Sequence, residues 1–170
     1  MEQGLEFEQF ASNRAHRLFQ VAYLMCGDWH QAQDLVQTTL AKMFSVWGRL
    51  RRGGDDGSTI DAYARKVLLR NYLSQKRLRK SSEIVTADLP ERASAPGDGG
   101  ELRLVMVAAL NQLPPRNRAV VVLRYLEDHS IEAVADMLGM SPGAVKSLNF
   151  RSLAKLREIL GEDREALFRP

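Results

Sequence analysis

Lys146, Ser147 and Arg151 are residue types that bond phosphate oxygens and base edges, and the pattern around them points all three outward from one helix. They sit in IEAVADMLGMSPGAVKSLNFRSLAKL, residues 131–156, which reads as two short helices joined by a tight turn. Ala135 offers a small side chain where two steeply crossing helices must touch. Gly139 takes the left-handed conformation that ends a helix without a Cβ clash. Ser141 supplies an N-cap oxygen, and Pro142 fits the first helical position, where no backbone donor is needed. Val145 fills the space between the helices. A unit of this kind lays its second helix in the major groove of DNA. An ordinary helical hairpin could carry the same Gly-Ser-Pro punctuation; the outward basic face favours the DNA reading.

The rest of the chain must hold that unit. A length of 170 residues allows one ordinary domain or two small ones, and a hydrophobic content of 45% is enough to build cores. Net charge is only +3, but residues 49–80 hold ten basic and three acidic side chains. Residues 81–101 hold one basic and five acidic, so the positive charge is concentrated in one stretch, as a phosphate-binding surface requires. No apolar run reaches the ~18 residues of a membrane span. The acidic start MEQGLEFEQF has no apolar signal core, so a cytoplasmic protein is expected. Cys26, the single cysteine, lies in VAYLMC and is expected to be a buried small residue. His16, His30 and His129 lack metal-ligand spacing. No catalytic residue, metal site or cofactor is expected, and an enzyme is disfavoured.

Apolar spacings of three and four predict two helices between Leu5 and Leu50, joined near Cys26-Gly27-Asp28. RRGGDDGST follows as a loop; its Asp and Gly pairs resemble a calcium loop, but the other ligand positions are missing. Asp61 to about Lys80 reads as a third helix with a basic end, QKRLRK. SSEIVTADLPERASAPGDGG, residues 81–100, has the composition of a disordered linker. Helical pattern resumes with LRLVMVAALNQL, breaks at Pro114-Pro115 and continues through RNRAVVVLRYLE. The expected fold is all-α: a helical domain over 1–80, a flexible acidic linker over 81–101, and a domain over 102–165 containing the helix-turn-helix.

AYLMCGDWHQAQDLVQTTLAKMFSVW, above all its HQAQDLVQ, resembles the promoter-melting domain of bacterial extracytoplasmic-function sigma factors, sigma-70 family proteins. LNQLPPRNRAVVVLRYLEDHSIEAVADMLGMSPGAVKS is similar to that family's C-terminal domain, and the nearest likeness is to the short actinobacterial subfamily. The resemblance implies a protein that binds core RNA polymerase and lets it recognise and open promoter DNA, with an anti-sigma protein as a further partner that it allows. It places polymerase docking on Asp34, Leu35, Gln37, Thr38 and Phe44, with Thr38 where an acidic residue is usual. For Asp34 a simple pairing with the helix dipole would serve equally.

The same resemblance assigns the downstream promoter element and strand opening to Tyr63, Arg65, Lys66, Arg70, Asn71, Lys76, Arg77, Arg79 and Lys80. An aromatic or fitted pocket that holds a base outside the stack would offset part of the unstacking cost. Tyr63 could equally be a core aromatic, and the basic cluster could be a solvated helix end. The family typically has Asn where Arg70 stands, which leaves the register open by one residue. The upstream element falls to Ser141, Lys146, Ser147, Leu148, Asn149, Arg151 and Lys155. Here Leu148 precedes Asn149 where the family's order is polar then apolar. Either the helix is rotated, or Leu148 faces the groove and touches a thymine methyl.

Two other functions share parts of this pattern. A stand-alone helix-turn-helix regulator with a dimerising or sensing N-terminal domain would lack a polymerase-docking helix. A sigma-like decoy would bind polymerase or an inhibitor without starting transcription.

Overall fold

The computed structural model describes residues 2–53, 58–81 and 100–161, with the backbone alone for Ser58, Arg79, Lys80, Ser81 and Glu101. Residues 54–57 of the expected RRGGDDGST loop and most of the expected linker lie outside the described residues, while Arg51 and Arg52 end α2 and Ser58 and Thr59 start α3.

Helix α1, Glu2–Cys26, ends at Gly27, at the joint near Cys26-Gly27-Asp28 that the sequence predicts, and its φ of 68° is a left-handed stop. Asp28 caps α2, Trp29–Arg52, by accepting the Gln31 N–H at 2.9 Å. The two-residue joint makes α1 and α2 an antiparallel pair. Their apolar stripes meet through Leu18, Val21, Ala22 and Met25 on α1 and Ala32, Leu35, Val36 and Met43 on α2. At the open end Phe7 and Phe10 pack on Trp47 at 5.4 and 5.1 Å between ring centroids. Arg49, Arg51 and Arg52 crowd the last turn of α2, where cations favour the helix dipole, and Arg51 also reaches Glu6 at 3.0 Å. Helix α3, Ser58–Ser81, packs on both through Ile60, Ala64, Leu68, Leu69 and Tyr72.

The second half starts with α4, Gly100–Asn111, and α5, Pro115–Val121, which carries a proline at its first position. The sequence pattern predicts that α5 runs on as α-helix. Instead Val122–Leu126 widen into a π-helical turn, closed by Glu127 N–H donating to the Val122 carbonyl at 3.0 Å. Helix α6, Ile131–Leu138, and α7, Pro142–Leu160, complete the chain's described part.

A sequence divided at an acidic linker gives no sign that the halves pack together, yet they share one hydrophobic core. α3 packs on α6 and α5, while α1 packs on α4 and α5. Arg118 is the polar pin of this junction. Its buried guanidinium donates to the Met25 carbonyl at the end of α1, to Asn111 O at 3.0 Å and to Leu113 O at 3.2 Å. Burial lowers its pKa, and burial likewise pushes the neighbouring Tyr72 phenol up to about 12 against the pull of Arg118. A Cβ on Gly27 would collide with the Asn111 side chain, so the close approach of α1 to α4 also depends on that glycine.

Candidate nucleic-acid interface

Ser130 caps α6 by accepting the Ala133 N–H at 3.1 Å, and Gly139 ends it at φ 64°. Ser141 caps α7 by accepting the Ala144 N–H at 3.1 Å, with Pro142 at the first position. Ala135 and Val145 are buried at the crossing of the two helices. Each local prediction for this unit therefore matches the geometry. Lys146, Ser147, Arg151 and Lys155 all lie on the exposed side of α7, with Lys155 3.8 Å from Glu158. Ser141 is exposed, with its hydroxyl engaged in the cap.

Phe150 belongs to this face and was missed by reasoning from the sequence. It is 74% exposed and lines one shallow depression with Lys146, Ser147 and Arg151. The signal was its spacing, four residues after Lys146 and three after Ser147. The two residues of inverted order resolve differently. Leu148 is half-buried and packs on the core, so its side chain is directed away from a groove. Asn149 is also half-buried, and its amide donates to the Tyr125 hydroxyl at 3.0 Å, which ties α7 to the π-helical turn.

On α3 the cations divide between two sides. Tyr63, Lys66, Arg70 and Arg77 recur at helical spacing along the outer side, with Tyr63 and Lys66 half-buried and Arg70 and Arg77 exposed. Tyr63 also packs against the core. Asn71 is half-buried, and Lys76 stands 5.9 Å from the ring centroid of Tyr72. The Arg79 and Lys80 side chains lie outside the described residues. As packed here, Arg65 is not the outward cation that the sequence predicts: it is 7% exposed and donates to Glu127 at 2.7 Å. A helix turns ~100° per residue, so a side chain one place before Lys66 falls toward the core side.

On α2, Asp34, Gln37, Thr38 and Phe44 are exposed and follow one another at helical spacing. Thr38 donates its hydroxyl to the Asp34 carbonyl at 2.8 Å. Phe44 is 60% exposed and packs edge-on against Phe7 at 5.2 Å. Leu35 corrects the expected docking set: it is fully buried among α1 and α3 residues and presents nothing to a partner. Among the described residues no group of three or more His, Cys, Asp or Glu could hold a metal ion. No helix among them is long and apolar enough to cross a membrane.

Residues 103–156 match the family model for sigma-70, region 4. The RNA polymerase sigma-E factor of Streptomyces coelicolor is 39% identical over 163 residues, spanning 94% of this chain and 89% of that protein. The ECF RNA polymerase sigma factor SigE of Mycolicibacterium smegmatis is 29% identical over 160 residues, 92% of this chain and 62% of that one. Among solved structures, the sigma factor RpoE of Bartonella quintana, in complex with the anti-sigma factor NepR, superposes with a TM-score of 0.72. That pair is 26% identical, and the match covers 92% of this chain and 97% of RpoE. The chain belongs to the RNA polymerase sigma factors, in the extracytoplasmic-function class of the sigma-70 family.

Proposed function

We propose a division of labour within this sigma factor, acting in the cytoplasm and without catalytic chemistry of its own. The exposed side of α2, with Asp34, Gln37, Thr38 and Phe44, docks on core polymerase. The outer side of α3 meets the downstream promoter element through Tyr63, Lys66, Arg70 and Arg77. Helix α7 reads the upstream element through Lys146, Ser147, Phe150 and Arg151. Residues 1–80 and 102–165 act as the two functional units, and 81–101 as the connection between them. An anti-sigma protein is a fitting inhibitor, because RpoE of Bartonella quintana was solved with one.

The observation that carries this reading is the outward row on α7. A cation, a hydroxyl, an aromatic ring and a second cation line one surface of a helix whose other side is buried. Cations and hydroxyls suit phosphates and base edges, and an aromatic edge suits a thymine methyl.

Gel shifts with and without core polymerase test the proposal. Promoter DNA is expected to shift strongly only when both proteins are present; strong binding by the chain alone would favour a stand-alone regulator. Asp34→Ala combined with Gln37→Ala is expected to weaken capture of core polymerase without changing the helical circular-dichroism signal. Undiminished capture would remove the α2 face from the docking role.

A further inference from the structure

Glu127 stands where the two halves meet, and its carboxylate is held from the other half on both oxygens. Arg65 of α3 contacts Oε2 at 2.7 Å, and Arg17 of α1 approaches Oε1 at 3.4 Å. His129 adds its Nε2 at 3.9 Å from Oε2. The Arg65 and Glu127 side chains are only 8% and 7% exposed. Arg17 closes the arrangement from the solvent side, with 59% of its side chain exposed. Two guanidinium groups around one anionic group is also how a phosphate is gripped.

The backbone around Glu127 is unusual in the same place. The π-helical turn of Val122–Leu126 replaces regular α-helix immediately before it. Asp128, immediately after it, has φ 60°, a left-handed conformation that a residue with a Cβ seldom takes. Arg124 braces the turn by donating to the His129 carbonyl at 2.7 Å. A regular helix would bring Glu127 out at a different angle. The irregular turn delivers the carboxylate across the junction, and such irregularities persist where the surroundings hold them.

We propose that Glu127 is an internal latch that occupies Arg65 and Arg17 in the free chain as a DNA phosphate would, and that opening the halves releases both arginines for nucleic acid. This rests on the reading above that α3 meets the downstream element. While the latch is closed, α3 is packed on α6 and Arg65 cannot reach a phosphate. The carboxylate would also repel a DNA backbone approaching this side of α3. Polymerase binding that separates the halves would therefore do two things at once: expose Arg65, and remove the competing anion.

The test uses the full chain carrying Glu127→Gln, which keeps the side-chain shape and removes the charge. Two quantities are read: the radius of gyration by small-angle scattering, and the affinity of the free chain for single-stranded DNA of the downstream element. The variant is expected to expand and to bind about tenfold more tightly, as a population shift of that size requires. An unexpanded variant with unchanged affinity overturns the latch. An expanded variant with unchanged affinity also overturns it, and in that case the fault lies in the assignment of α3 to DNA. Arg17→Gln serves as the second variant, since that side chain is largely in solvent and its loss does not threaten folding. It is expected to expand the chain less than Glu127→Gln does, with no net gain in affinity because one of the released cations is gone; an unexpanded Arg17→Gln chain would count against the proposal.

Discussion

Helices α3 and α7 both carry a row of cations, which we propose meet nucleic acid, but they hold them differently. On α7 the inner side is apolar, through Val145 and Leu156, and Lys146, Arg151 and Lys155 all remain outside. On α3 the cations are shared out: Arg70 and Arg77 face solvent, while Arg65 is drawn into the junction between the halves. The helix proposed to read intact duplex is thus complete as it stands, whereas the helix proposed to act in strand opening has part of its charge engaged within the protein. A surface that must act only inside a larger assembly can be kept unfinished until that assembly forms.

The most disruptive test of this contrast is Arg118→Ala. It leaves three carbonyls at the junction without their donor and is expected to cost ~3 kcal/mol. Urea unfolding should show the loss, and hydrogen exchange should show α3 opening more than α7. Equal loosening of both helices would erase the contrast.

Arg151→Ala and Arg70→Ala compare the two rows directly in the holoenzyme. Each is expected to cost ~1–3 kcal/mol if it removes a bidentate base contact, and less if only a phosphate contact is lost. Arg151→Ala should impair closed-complex formation. Arg70→Ala should slow strand opening, and a pre-melted bubble template should rescue it alone. Rescue of the α7 variant by the bubble would mean the roles are misassigned.

The two left-handed glycines sharpen the point at smaller scale. Gly139→Ala has open space around its new methyl group and is expected to cost ~1–2 kcal/mol through φ alone. Gly27→Ala pays the same strain and also strikes Asn111, so its thermal midpoint should fall further. Equal midpoints would show that α4 can retreat without loss.

The smallest effect concerns pH. Burial lowers the His129 pKa below the ordinary 6.5, a shift that Glu127 opposes. The unfolded chain therefore takes up the proton first, so the stability tied to neutral His129 is present above 6.5 and is lost as pH falls through the folded value. His129→Gln should flatten that part of the stability profile, and an unaltered profile would place the acid sensitivity elsewhere.

What could be read from the sequence was local. Gly139, Ser141 and Pro142 act through backbone conformation and caps a few residues away, so the helix-turn-helix was visible in full. The same holds for the Gly27-Asp28 joint between α1 and α2. Arg65 and Glu127 are 62 positions apart, and no periodicity announces such a pair. Leu35 shows that a family motif can mix partner-facing and core residues, because neighbours on a helix face different directions. The π-helical turn escaped because RNRAVVVLRYLE is apolar enough to suit α-helix throughout. Phe150 escaped because an aromatic beside polar residues reads as core until the packed side of α7 is known.

That π-helical turn also sets the phase of everything after it. An α-helix rotates ~100° with each residue. Removing one residue between Val122 and Leu126 would let α5 continue regularly, and the following segment would emerge turned by about that angle. The Tyr125 hydroxyl would leave Asn149, Glu127 would leave both arginines, and α6 with α7 would start from a different heading. One inserted position thus acts as an indexing step, coupling the heading of α7 to the charge match between the halves.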